Sequence, residues 1–227
     1  MDSGLVLLEG FRQMLARIKR PLTLICSVLA LVVGLVGVAN GQTSHGLLID
    51  INGPISPITA NFLDQALVEA NEGGSELIVI RINTPGGLLS STREMVGSLL
   101  ESEVPSVVYV SPSGARAGSA GTFITAAANF AVMAPGTNIG AASPVGSSGQ
   151  ELSETLASKL TEDAAALMRD IADKRLRNIE KLESTVTDAT SYSSNEAVGL
   201  GVVDFVAEDL DDLIAKLDGR TAGNRAG

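Results

Sequence analysis

From Gly46 onward, short runs of β-branched residues alternate with longer segments in which apolar residues recur at helical spacing. This is the sequence pattern of an α/β domain. GLLIDI (46–51), ELIVIRI (76–82), SVVYV (106–110), FAVMA (130–134) and VVDFVA (202–207) predict strands. Residues 57–72, 88–102, 119–129, 155–182, 194–199 and 209–217 predict helices, the fourth of them long and of mixed charge. The links NTPGG, SPSGARAGSAG and PGTNIGAASP are rich in turn-forming residues and are expected to be loops. The polar stretch 143–154 reads as mobile and 218–227 as a disordered tail. No internal repeat recurs at a fixed period.

The pattern before Gly46 is of a different kind. Arg12, Arg17, Lys19 and Arg20 precede residues 21–39, which carry no charge and are rich in Leu and Val. A basic flank followed by such a run predicts a membrane-targeting segment with its N-terminus in the cytoplasm and the rest of the chain sent across. Gly37-Val38-Ala39 resembles a small-x-small cleavage site and the polar NGQTS follows it, which favours a signal peptide over 1–39. The run is about as long as the shortest membrane spans, so a retained N-terminal anchor is the alternative.

Composition narrows the chemistry. The chain has 227 residues, 45% of them hydrophobic, enough for one sizeable domain with a genuine core. Aromatic residues are 3% with no Trp, and the net charge is -10, a poor match to nucleic-acid binding. Without residues 1–39 the body holds 12 basic against 24 acidic residues, so the exported part is distinctly acidic. The single cysteine, Cys26, lies in the apolar run, which excludes an intrachain disulfide and any site built from several cysteines. The single histidine, His45, sits at the edge of the body, so a hydrolytic site here is expected to use another base.

Two glycine-rich loops follow predicted buried strands, where open α/β sheets place their ligand sites. In Asn83-Thr84-Pro85-Gly86-Gly87 the proline fixes the turn and the glycines leave backbone N–H groups accessible to an oxyanion. In Ala117-Gly118-Ser119-Ala120-Gly121 a serine among small residues stands at a loop-to-helix transition, close to the G-x-S-x-G turn that exposes a nucleophile. The Ala120 N–H would then point to where negative charge develops in acyl transfer. Each loop also has an ordinary reading: PGG is a common turn, and a serine before an Ala-rich helix is usually an N-cap.

The order strand, NTPGG, helix, strand, GARAGSAGTFI, strand, MAPGTNIGAASP and then a helix-borne lysine resembles the Clp-protease and crotonase fold group. More narrowly it resembles the membrane-bound Clp-class serine proteases of the NfeD family, over roughly Gly46 to Leu217. The resemblance implies an α/β core of repeated β-β-α-type units and a protease domain spanning 46–217. It implies Ser119 as nucleophile, Lys159 as base, and the amides of Gly86, Gly87 and Ala120 as the oxyanion hole, with no metal and no cofactor. The activity it implies is an ATP-independent serine endopeptidase, acting on hydrophobic segments of membrane-associated, stomatin-like proteins and assembling as a homo-oligomer. Long members of the family continue into several membrane spans and a small β-barrel domain, which are expected here to be encoded separately or dispensed with.

The residues bear on this pairing independently of the resemblance. A chain without a usable histidine needs another base, lysine is the known substitute, and Lys159 is the only lysine between Ser119 and Met168. A basic lysine requires an apolar pocket, which Leu156, Ala157 and Leu160 would supply and Ser153 and Ser158 would oppose. The alternative for Lys159 is a solvated helix residue. Arg116 reads as solvent-facing or as a substrate contact, and Thr122 and Ser143 as structural hydroxyls or as groups that orient Lys159. Asn83 stands where relatives often carry an acid, so no carboxylate is available there. Two other functions share the framework: a catalytically silent scaffold assisting membrane-protein assembly, and an acyl-CoA enzyme of the crotonase kind, which export of the domain disfavours.

Overall fold

The computed structural model describes residues 45–145 and 153–220. The predicted N-terminal segment, residues 146–152 of the polar stretch and residues 221–227 of the tail lie outside these. Among the described residues, no helix is long and apolar enough to cross a membrane.

Five strands form a parallel sheet in the order β1-β2-β3-β5-β8: β1 (Gly46–Asn52), β2 (Leu77–Asn83), β3 (Ser106–Val110), β5 (Phe130–Met133) and β8 (Phe205–Val206). Helices on both faces explain why β3 is buried at every position, since a strand covered on both sides has no use for polar alternation. Ile78, Ile80 and Ile82 point to one face, where they pack with Leu63 of α1 (Pro57–Glu72), Leu99 of α2 (Leu89–Glu101) and Ile124 of α3 (Ala120–Ala127). Met168 and Ile171 of α4 (Glu154–Lys174) complete that core. Val79, Val107, Tyr109 and Val132 point to the other face, against Leu213 and Leu217 of α7 (Leu210–Leu217).

A second, three-stranded sheet joins β4 (Arg116–Gly118), β6 (Asn138–Gly140) and β7 (Ser191–Ser193). Strands β3 and β4 precede α3, and β5 and β6 precede α4, so the β-β-α unit repeats along the chain. The first strand of each pair enters the large sheet and the second the small one.

The structure corrects three sequence readings. The glycine-rich links are not wholly loop: β4 and β6 lie inside them, and β7 precedes the short helix α6 (Ser194–Gly199). The helix predicted over 155–182 is two helices, α4 and α5 (Ile179–Thr187). Between them Leu176 takes a left-handed φ of 54°, and the Asn178 side chain accepts the Lys181 N–H to start α5. The break serves packing. Arg175 donates to the carbonyls of Ala127 and Leu99, and Arg177 donates to that of Ala126, so two cations from this link satisfy the otherwise unpaired C-terminal carbonyls of α2 and α3. Finally, the strand predicted over 202–207 shortens to Phe205–Val206 because Asp204 turns inward, accepting the Ala131 N–H at 2.7 Å and Arg177 at 2.8 Å.

The Arg177–Asp204 pair is almost wholly buried, with side-chain exposures of 0% and 8%. Removing one charge of a buried pair strands the other, at a cost of about 3–5 kcal/mol. Arg177→Met is therefore expected to lower the unfolding free energy by that amount, checked by denaturant melts against the native protein; a loss below about 1 kcal/mol would contradict this role.

Candidate active site

The end of β2 continues into NTPGG, and backbone bonds hold this loop on two sides. Thr84 pairs with Ala117 of β4, donating its N–H to Arg116 and accepting that of Gly118 at 3.0 Å. Gly87 pairs with Ile55, whose N–H donates to the Gly86 carbonyl at 2.9 Å and whose carbonyl accepts the Leu88 N–H at 3.0 Å. These contacts leave no room for side chains. A Cβ at Gly87 would lie 2.0 Å from the Ile55 carbonyl oxygen, and one at Gly86 would lie 2.7 Å from Cβ of Ser119. Gly86 also takes a φ of 122°, a conformation that favours glycine. The PGG sequence is thus more than a turn; it is what lets two loops touch.

Ser119 lies at the N-terminus of α3 with φ 49° and ψ -112°, and its side chain makes no capping bond. The ordinary N-cap reading therefore fails. A non-glycine residue held in such a conformation costs of order 1–3 kcal/mol and persists only where its surroundings impose it. Here the imposing group is the Gly140 carbonyl at the end of β6, which accepts the Ser119 N–H at 3.0 Å and the Thr122 hydroxyl at 3.1 Å. Thr122 also donates to Ala117, so its hydroxyl is structural. The missed strand β6 thus sets the conformation of the serine.

Ser119 opens onto a cleft of about 890 Å³, walled by Ile55, Leu88, Phe123, Ala142, Leu160 and Ala164 and floored by Gly86, Gly87 and Ala120. No charged side chain lines it among the described residues. Gly87 and Ala120 have backbone N–H groups without a hydrogen-bond partner among the described residues, whereas the Gly86 N–H is donated to Thr84 Oγ1 at 3.0 Å. Two amides are thus unengaged beside the serine, and a third named from the sequence is occupied.

Lys159 lies on α4 one residue before Leu160, with its side chain exposed, off the cleft wall, and without a hydrogen bond or ion pair among the described residues. Its neighbour Leu156 is also exposed, and Ala157 and Leu160 are half-buried, so among the described residues these side chains do not enclose it. The structure brings Ser119, Gly87 and Ala120 together and leaves Lys159 outside them. Ser143 lines the cleft but donates its hydroxyl to the Val186 carbonyl at 2.6 Å. Arg116 is solvent-facing. Asn83 accepts the Arg116 N–H and donates to Asn52, tying β1 and β2 to β4 with an amide at the position where no carboxylate stands. His45 precedes β1, at the opposite end of the parallel sheet from the serine, beside the Gly73 carbonyl. Thr84 was not singled out by sequence reasoning; its only signal was membership of the NTPGG motif.

A family model described as the NfeD1b N-terminal domain matches residues 47–224. The membrane-bound protease PH1510 of Pyrococcus horikoshii is 34% identical over 170 residues, 74% of this chain and 38% of that protein. The membrane protein NfeD1b of Bacillus subtilis is 31% identical over 189 residues, 79% of this chain and 42% of that protein. The chain thus spans about two fifths of the length of the curated relatives it matches. Among solved structures, a serine-to-alanine mutant of the membrane-bound stomatin-specific protease 1510-N superposes with a TM-score of 0.73 at 30% identity, covering 79% of this chain and 87% of that one. A lysine-to-alanine mutant of 1510-N in complex with a substrate peptide gives 0.73 at 31%, covering 78% and 82%. ClpP1 of Listeria monocytogenes matches with a TM-score of 0.58 at 21% identity, covering 73% and 94%, a likeness of fold. The β-β-α core, the paired glycine loops and these matches together make the chain a member of the NfeD1b N-terminal domain family, with the fold of the Clp proteases.

Proposed function

We propose that this domain is an ATP-independent serine endopeptidase in which Ser119 is the nucleophile and Lys159 the base. The observation that carries the reading is Ser119 held in a strained, uncapped conformation at the floor of an uncharged cleft, beside two unengaged backbone N–H groups. Ser119 Oγ attacks the carbonyl carbon of the scissile peptide, and its proton passes to Lys159 Nζ. The oxygen of the tetrahedral intermediate takes its charge against the N–H groups of Gly87 and Ala120, with Gly86 serving as the close-packed turn behind them. Collapse expels the amine, which takes the proton from Lys159; a water then attacks the acyl-enzyme by the same route and frees Ser119.

Because Lys159 faces solvent in the unliganded chain, the dyad forms when its side chain folds over Leu160 into the cleft, where the covering apolar substrate supplies the dry surroundings that a lysine base requires. The apolar walls fit hydrophobic peptide segments. Together with the stomatin specificity of 1510-N this supports stomatin-like membrane proteins as substrates. The membrane-bound relatives support membrane association, the basic flank and apolar run of residues 12–39 support export with residues 1–39 as signal or anchor, and the homo-oligomer rests on the family resemblance alone. One observation favours a second reading, a silent scaffold of the same fold: no titratable side chain lines the cleft among the described residues.

A fluorophosphonate probe separates the two. The full chain in detergent is expected to label at one site, Ser119→Ala to abolish labelling, and Lys159→Ala to slow it roughly 100- to 10,000-fold, the range for removal of a general base. A folded native chain that neither labels nor cleaves any apolar peptide would favour the scaffold reading. Among peptide substrates, a Lys placed beside the scissile bond is expected to reduce kcat/KM by at least about 30-fold, since its charge would enter a cleft that no acidic side chain lines among the described residues. Equal turnover of charged and apolar peptides would remove the assignment of hydrophobic substrates.

A further inference from the structure

We infer that the hydroxyl of Thr84 is a positioning residue of the oxyanion site, fixing the direction of the Gly87 N–H; the inference rests on the serine-peptidase reading above. Thr84 is fully buried, and its Oγ1 accepts the Gly86 N–H at 3.0 Å while donating to the Gly86 carbonyl at 3.2 Å. The same carbonyl accepts the Ile55 N–H at 2.9 Å. Two donors thus draw the Gly86 C=O into the protein. In a trans peptide the C=O and the following N–H point in opposite directions. Holding the Gly86 carbonyl inward therefore turns the Gly87 N–H outward, to the floor of the cleft beside Ser119.

Gly86 needs this restraint more than another residue would. Without a Cβ its peptide planes rotate cheaply, and a rotation of the Gly86–Gly87 plane would replace the outward N–H by a carbonyl, whose negative end repels an oxyanion. The Thr84 hydroxyl opposes that rotation from both sides of Gly86, because its single oxygen is bonded to the residue's N–H and its C=O. It also occupies the Gly86 amide, which is why one loop of two glycines presents one donor.

Thr84 has a second feature, a methyl group packed so closely on α3 that a Cβ at Gly121 would lie 2.6 Å from it. The hydroxyl and the methyl make opposite predictions for two variants. Thr84→Val keeps the shape and loses the hydroxyl; Thr84→Ser keeps the hydroxyl and loses the methyl. A positioning role predicts that Thr84→Val lowers kcat on an apolar peptide, and the fluorophosphonate labelling rate, roughly 10- to 100-fold with KM within about threefold, as for a misplaced oxyanion donor. It predicts Thr84→Ser within about threefold of native in both assays. A packing role predicts the reverse order.

The decisive experiment measures labelling and peptide kinetics for the full-length native chain and both variants, with thermal melts to verify folding. Loss in Val with retention in Ser supports the inference. A reactive native chain with Val as fast as native, or with Ser tenfold slower, overturns the role of Thr84 and leaves the peptidase reading standing. A native chain without a reactive serine overturns both. Should Thr84→Val fail to fold, the Ser variant decides alone: native rates support the hydroxyl, and a tenfold loss refutes it.

Discussion

The site depends on one steric constraint: the loop after β2 approaches both the Ser119 loop and the backbone at Ile55 too closely to admit a side chain. Gly86 lies against the side chain of Ser119 and Gly87 against the backbone of Ile55, at separations that exclude a Cβ. Everything at the site follows from this contact. The parallel sheet brings the ends of β2 and β3 to the same edge, the bridge between Thr84 and Ala117 aligns the loops, and the Gly140 carbonyl forces Ser119 into a conformation its own chemistry disfavours. A serine so held makes no cap bond to its helix, and the first amide of α3 and the amide of Gly87, both without a partner among the described residues, lie in the cleft lining beside it.

The rest of the fold supplies rigidity where that contact needs it. Arg175 and Arg177, on the link between α4 and α5, close the C-terminal ends of α2 and α3, the helices that follow the two glycine loops. The loops are therefore anchored at their near ends by the sheet and at the far ends of their helices by the part-buried Arg175 and the buried Arg177. Lys159, the proposed base, is held differently. Lys159 projects into solvent from the first turns of α4, whose later turns carry Ala164 and Met168 into the cleft wall and the core.

Where burial alone dictates structure, the chain is legible. SVVYV and ELIVIRI read as strands because both faces of the sheet are covered, and the helix beginning at Pro57 is announced by the Ser-Pro pair at its start. The three-residue strands β4, β6 and β7 were hidden because their pairing is tertiary and their residues, Arg116, Asn138 and Gly140 among them, carry no strand signature. The helix break at Leu176 was hidden for a related reason: the arginines that impose it act through carbonyls some fifty residues and more away. At the site, the glycines and Ser119 could be found from their spacing and from the family resemblance. That Gly86 has its amide occupied, that Thr84 occupies it, and that Lys159 faces solvent are properties of hydrogen bonds and exposure which spacing does not encode.

The central claim is that the amides of Gly87 and Ala120 receive the charge that develops when Ser119 attacks a carbonyl. A crystal structure of the phosphonylated protein tests it directly, because the phosphonyl oxygen occupies the position of the oxyanion. The account predicts that oxygen within about 3 Å of both nitrogens, with the Gly86 N–H still bonded to Thr84. A phosphonyl oxygen turned to solvent, or bound by the Gly86 amide in place of Gly87, would contradict it.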